Sequence, residues 1–161
     1  MKLRNYRHED CEKLIRLFYE TVHTVNQRDY NEKQLFAWAP EQIDPAPWAK
    51  SLAEHDTVVA EINGVLVGFG DLAQNGYLDR LFVHKDFQGK GIASGIVSEL
   101  ERRAGKCGIN RITTEASITA RPFFEHIGYR VLKKQNKFCR GEYFINYIME
   151  KILMVKDEKE V

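Results

Sequence analysis

The segment Leu81-Phe82-Val83-His84-Lys85-Asp86-Phe87-Gln88-Gly89-Lys90-Gly91-Ile92-Ala93 constrains this chain more than any other. A β-rich run, Tyr77–Val83, feeds two glycines spaced one residue apart. Ile92, Ile96, Val97, Leu100 and Ala104 then recur at helical spacing until Gly105–Gly108. A helix N-terminus leaves several backbone N–H groups unpaired and carries partial positive charge. Glycines there admit a close backbone approach, so the turn reads as a cradle for a phosphate or pyrophosphate. A tight strand-to-helix turn that uses glycine for conformation alone is the other reading. The glycine pattern matches neither GxxxxGK[ST] nor GxGxxG, which excludes a Walker A loop and a dinucleotide fingerprint.

The surroundings define the fold class. Leu14, Leu17, Phe18, Thr21, Val22 and Val25 predict an amphipathic helix over Asp10–Val25. The stretch Asn26–Lys50, with Pro40, Pro45 and Pro47, predicts short helical turns, and Pro47 suits the first turn of a helix running to about Glu54. Thr57–Ile62 and Val65–Leu72 flank Asn63-Gly64, a type I′ hairpin signal, and Tyr77–Val83 follows as a third antiparallel strand. Beyond the second helix come a strand over Arg111–Glu115, a helix over Ile118–Ile127 with Pro122 in its first turn, and strands over Tyr129–Lys134 and Lys137–Lys151, the latter interrupted near Gly141. The order is that of one α+β domain, residues 1–153, with a mixed, mostly antiparallel sheet flanked by helices. Residues 154–161 form a mostly charged tail, expected to fray.

Composition removes several function classes. The 161 residues carry 24 Lys+Arg against 23 Asp+Glu, a net charge of +1, which argues against a nucleic-acid partner or a membrane surface. No run approaches the roughly 20 apolar residues of a membrane span, and the first residues do not read as a signal peptide. Cys11, Cys107 and Cys139 fit neither a disulfide framework nor a CxxC motif, so free thiols and a cytoplasmic location are expected. No His/Cys/Asp/Glu grouping has metal-ligand spacing, and no metal is expected.

The string from Leu81 to Ala93 resembles the acyl-CoA signature [QR]-x-x-G-x-[GA] of the GNAT superfamily of N-acetyltransferases, preceded by L-x-V and four intervening residues. Ala120-Arg121-Pro122-Phe123-Phe124-Glu125-His126-Ile127-Gly128-Tyr129 resembles that family's second block, A-x-x-F-Y-E-x-x-G-F. The likeness runs from the N-terminal helix to about Lys151 and is similar in detail to small bacterial proteins of a YafP-like branch.

The resemblance implies the GNAT fold and acetyl transfer from acetyl-CoA, as cosubstrate, to a primary amine on a small molecule or peptide. It implies that the backbone of Leu81, Phe82 and Val83 and the amides of Gln88, Gly89, Lys90, Gly91, Ile92, Ala93 and Ser94 receive the cofactor. The strands Tyr77–Val83 and Arg111–Glu115 are expected to splay apart around the pantetheine arm, with Phe123 and Phe124 beside it. Ser117 falls where the family often has a cofactor-binding Asn. A carboxylate on the strand before the loop often serves as base, which points to Asp79, with Glu115 on the neighbouring strand. Either could instead bind a cationic acceptor; Asp79 beside Arg80 also fits an ion pair, and Glu115 a helix cap. The family's proton-donating Tyr matches Phe124, which has no proton to give, leaving water, Tyr129, Tyr143 or Tyr147. The N-terminal helices often roof the acceptor pocket, so His23, Tyr30 and Trp38, with Asp29 and Gln34, are its expected lining, fitting an aromatic or basic amine. Dimers are common among similar proteins, so a homodimer is expected. A rival reading keeps the cofactor cradle without turnover, as an acyl-CoA sensor; another makes Tyr30–Trp48 a protein-recognition surface.

Overall fold

The computed structural model describes residues 1–154. Apart from Met154, the expected charged tail lies outside the described residues. The elements are β1 (Lys2–Asn5), α1 (Cys11–Thr24), α2 (Glu32–Trp38), α3 (Pro45–Glu54), β2 (Asp56–Ile62), β3 (Val65–Leu72), β4 (Tyr77–Val83), α4 (Ile92–Lys106), β5 (Arg111–Ser117), α5 (Arg121–His126), β6 (Arg130–Cys139) and β7 (Glu142–Ile152). The seven strands form one sheet in the order β1-β2-β3-β4-β5-β7-β6, antiparallel except for β4 beside β5. This is the expected α+β architecture.

Each sheet face carries its own core. Val58, Val67, Ile96, Leu100, Ile112 and Met149 pack beneath α4 and α5, while Leu14, Phe18, Leu35, Leu52, Phe69 and Phe144 pack beneath α1, α2 and α3. Strand alternation divides Val58 from Val59 and Leu66 from Val67 between these layers, and the three valines are fully buried. Asn63 and Gly64 both have positive φ (51° and 78°), the type I′ turn that the Asn-Gly pair predicted.

β3 carries Gly68 and Gly70 where α4 presses on the sheet. A Cβ on Gly70 would lie 2.9 Å from Ile96 Cγ2 and 3.3 Å from the Arg80 carbonyl oxygen, which cannot move without breaking the ladder. Gly70→Val should therefore lower stability by about 2 kcal/mol, read as a shifted urea midpoint, because the helix must lift from the sheet.

Three expectations need correction. β1 pairs with β2 and has no counterpart in the sequence reading, because four residues, Lys-Leu-Arg-Asn, hold too little alternation to signal a strand. The helix expected from Ile118 begins at Arg121: β5 continues to Ser117 by pairing with Asn146, and Ser117 Oγ accepts a bond from the Ala120 N–H in the intervening turn. The last two strands meet at Arg140-Gly141, both with positive φ (45° and 85°), rather than between Lys134 and Lys137. Gln135 and Asn136 stay inside β6, opposite Asn146 and Ile145. The helix preceding β2 starts at Pro45, with the Asp44 side chain capping the Ala46 N–H, so Pro47 also falls in its first turn.

Candidate active site

β4 and β5 are paired only at Tyr77–Thr113 and Leu78–Thr114, where Thr114 Oγ1 also donates to the Leu78 carbonyl. Beyond that point the edge of β4 facing β5 has no ladder partner, and a cleft of about 930 Å³ passes between the strands. At one end it reaches Gln88, Gly89 and Gly91 on the α4 side; at the other it opens among Phe18, Trp38 and Trp48 beneath the N-terminal helices.

The first end is built from backbone. Gly89 and Gly91 have φ of 72° and 79°, conformations that favour glycine, and a Cβ at either would point into open space. Gly91 is the N-cap of α4 and offers no side chain, so the first-turn N–H groups face outward unpaired. Successive amides around positive-φ residues form a concave anion site, strengthened by the helix dipole. Gln88 Nε2 donates to the Val83 carbonyl at 2.7 Å, tying the loop to the end of β4, and Thr21 Oγ1 anchors α1 to the same carbonyl at 3.1 Å.

The other end is acidic and aromatic. The β3–β4 register slips between Asp71 and Leu72, leaving Asp79 as the extra residue of a bulge in β4. This turns Asp79 toward the same side as Arg80: its Oδ2 lies 3.5 Å from Arg80 Nη2 and 4.0 Å from His55 Nδ1. Asp71, fully buried, accepts from Arg80 Nε and Nη2 and sits 2.8 Å from His55 Nδ1. The Arg80 guanidinium lies 4.5 Å from the centre of the Trp48 ring and also meets Ser51 Oγ. Burial, then the Asp71 charge, hold the Asp79 carboxyl above its ordinary pKa, against the opposing pull of Arg80, His55 and Lys137. Glu115 is paired instead with Lys137. Tyr77 lines the cleft as well, and burial, with the Glu115 and Asp79 charges, pushes its phenol well above the usual range, so it keeps its proton.

The family of acetyltransferase (GNAT) domains matches residues 26–151. The chain belongs to the GNAT family. It is 36% identical over 149 residues to the uncharacterized N-acetyltransferase YafP of Escherichia coli (strain K12), covering 92% of this chain and 94% of that protein. A GCN5-related N-acetyltransferase structure from Rhodopseudomonas palustris superposes with a TM-score of 0.91 at 33% identity, over 94% of this chain and 95% of that one. At 21% identity, the PaiA N-acetyltransferase of Thermoplasma acidophilum, solved with coenzyme A, shares the fold with a TM-score of 0.77 over 94% and 98% of the two chains. This GNAT protein is an acyltransferase, and its described residues include no helix long and apolar enough to cross a membrane.

Within the GNAT chain, the cleft brings together Asp79, Glu115, Leu81, Phe82, Val83, Gln88, Gly89, Gly91, Ile92, Ala93, Ser94, Ser117, Phe123 and Phe124, all expected there from the sequence. Lys90 is not on the wall; its ammonium lies 5.3 Å from the centre of the Phe87 ring. Of the expected acceptor residues, Trp38 lines the cleft but His23 and Tyr30 do not. His23 packs between the Tyr19 and Phe36 rings with Nε2 2.7 Å from the Ala39 carbonyl. The Tyr30 hydroxyl donates to the Ile145 carbonyl and accepts from the Ile118 N–H, bridging the helical layer to β7 and the turn after β5. Asp29 accepts from Thr119 Oγ1, and Gln34 caps α2 and donates to the Tyr143 carbonyl. Tyr30→Phe should cost about 1–2 kcal/mol in thermal unfolding while leaving the acceptor KM unchanged, because it strips two backbone groups of their partner.

None of Tyr129, Tyr143 and Tyr147 lines the cleft. Tyr129 donates to Glu101, Tyr143 is exposed against Phe138, and Tyr147 lies beneath the Arg121 guanidinium. Sequence reasoning also missed His55, Asp71, Tyr77 and Asn146. The ligand atoms of His55, Asp71 and Asp79 lie within 4.8 Å of one another, a grouping that residue spacing does not show. Arg80 already supplies positive charge at its centre. Asn146 Oδ1 is buried and without a donor, which costs about 1–3 kcal/mol where nothing fills it.

Proposed function

We propose that the protein moves the acetyl group of acetyl-CoA directly to a primary amine. The observation that carries this reading is one continuous cleft, running from a glycine cradle of unpaired amides, through the gap between β4 and β5, to an aromatic chamber with a raised-pKa carboxylate. The cradle suits a pyrophosphate, since its donors are backbone amides and no side chain closes it. The unladdered edge of β4 offers N–H and C=O groups to the amides of a pantetheine arm.

Acetyl-CoA supplies the activated acyl group: a C–N bond to the amine forms, the C–S bond breaks, and the thiolate takes a proton. Asp79 removes the proton that the attacking nitrogen must lose, directly or through water; its raised pKa makes it a stronger base than an exposed carboxylate. Tyr77 is the one phenol on the wall among the described residues; with its pKa raised far above that of a thiol it keeps its proton and offers the leaving thiolate a hydrogen bond, and water supplies the proton that Phe124 cannot. Phe18, Trp38, Trp48 and Phe82 exclude water from the acceptor end and accept an apolar or aromatic arm. Cys11, Cys107 and Cys139 are free thiols, which supports action in the reducing cytoplasm.

Calorimetric titration with acetyl-CoA, followed by thiol release against a panel of amines, tests the proposal. Binding with release that depends on an amine is the expected result. Binding without release by any amine favours the sensor reading, and absence of binding returns the glycine loop to a plain structural turn.

A further inference from the structure

Asn26, at the end of α1, is a polar residue of the cleft wall that the acetyl transfer described above does not use. It is only 6% exposed, and its carboxamide makes no hydrogen bond among the described residues. Nor is that carboxamide sealed: the buried polar atoms shut off from solvent without a partner are Tyr6 Oη, Gln135 Nε2 and Asn146 Oδ1. Other neutral side chains on the wall are engaged within the protein, Thr21 and Gln88 with the Val83 carbonyl, Thr114 with the Leu78 carbonyl and Thr119 with Asp29. Asn26 alone of these keeps both N–H donors and a carbonyl acceptor for whatever occupies the cleft.

The path of the chain identifies that occupant. α1 runs beside β4, with the Phe18 ring 4.9 Å from that of Phe82 and Thr21 Oγ1 bonded to the Val83 carbonyl at the strand's end. After a turn at Asn26–Arg28 the chain reaches the corresponding end of β5: Asp29 accepts from Thr119 Oγ1 at 2.7 Å, and the Tyr30 hydroxyl from the Ile118 N–H at 2.9 Å. β4 and β5 are parallel, so the segment from Thr21 to Tyr30 is a strap across the mouth of the gap between them, on the face opposite α4, with Asn26 at its middle. Gln88, the first residue of the glycine cradle, bonds to the same Val83 carbonyl as Thr21, so strap and cradle stand at one level, whereas the Asp79 bulge lies deeper along β4. Asn26 therefore stands over the route from the cradle into the gap rather than over the reacting carboxylate. Resting on the proposed use of acetyl-CoA, we propose that Asn26 binds the pantetheine arm, its carboxamide pairing with a secondary amide of that arm. Each such amide presents one N–H and one C=O, the complement of what the side chain offers, and a buried pair of this kind loses little to competing water.

Asn26→Leu keeps the size of the side chain and removes the pairing. By calorimetry the variant should bind acetyl-CoA about tenfold more weakly than wild type, while 3′-phospho-ADP, the nucleotide end of the cofactor without its arm, binds within about twofold. Because the carboxamide has no partner within the protein, the unliganded variant should melt no lower than wild type. An unchanged acetyl-CoA Kd overturns the inference, and if the preference among amines changes instead, Asn26 belongs to the acceptor. Equal losses of acetyl-CoA and 3′-phospho-ADP also overturn it, since the effect then does not run through the arm. So does a variant that melts well below wild type or does not fold, which makes the side chain structural. A wild-type protein that binds no acetyl-CoA overturns the proposed function itself and this inference with it.

Discussion

Asp79→Asn should lower kcat by about 100-fold at neutral pH while leaving the acetyl-CoA Kd unchanged, since it keeps the size of the side chain and removes its basicity. In the wild-type protein kcat/KM should fall as the pH drops through the raised pKa of Asp79, because only the ionised carboxylate can take the proton. That acidic limb should be absent from the variant. Stability should move the other way. The carboxyl has a higher pKa folded than unfolded, so folding takes up a proton between the two values. Its charge does not burden the fold below the unfolded pKa and weakens it as the pH rises through the folded one. Asp79→Asn should therefore melt at a higher temperature than wild type at pH 7, with the difference disappearing near pH 3. Full turnover in the variant removes Asp79 as base. A lowered melting temperature with normal kinetics makes the carboxylate a structural partner of Arg80 and His55.

Replacing both glycines of the cradle with valine should weaken acetyl-CoA binding by about 100-fold or more, measured by calorimetry, with the circular dichroism spectrum preserved. The positive φ of Gly89 and Gly91 is strained for a β-branched residue at a cost of about 1–3 kcal/mol each. A side chain at either position also enters the space before the α4 amides, where a pyrophosphate would sit. The two effects separate experimentally. Strain alone lowers the unfolding midpoint and leaves the Kd near wild type, whereas a blocked cradle raises the Kd in a protein that remains folded.

Much of this molecule could be read from the residues alone, and for local reasons. Asn63-Gly64 fixes its hairpin because two positive φ angles are cheap for that pair, and the alternation of Val58, Val59 and Ala60 assigns their side chains to faces. The Gln88–Gly91 loop announces itself because its chemistry is carried by backbone, and only glycine spacing is needed to see it. Short elements failed the same test: β1 has too few residues for a pattern, and Gly141 rather than Gln135-Asn136 turned the last hairpin because it tolerates a positive φ that those two were not asked to adopt.

The acceptor end was legible only in part. Asp79 is legible as the carboxylate on the strand before the loop, but its raised pKa comes first from burial and then from the charge of Asp71, eight positions away on the neighbouring strand, and its orientation from a bulge that no propensity announces. His23 and Tyr30 look polar and available in the sequence, yet they spend their hydrogen bonds on the Ala39, Ile145 and Ile118 backbone.

The α+β order, the glycine turn before α4 and the family are legible in the residues alone, because each rests on short-range periodicity or on a run of neighbouring residues. Which polar groups face the cleft, and what charge they feel, emerges from the assembled fold. Those depend on strands distant in sequence, β3, β4, β5 and β7, meeting in one register, with β4 and β5 separating after two residue pairs.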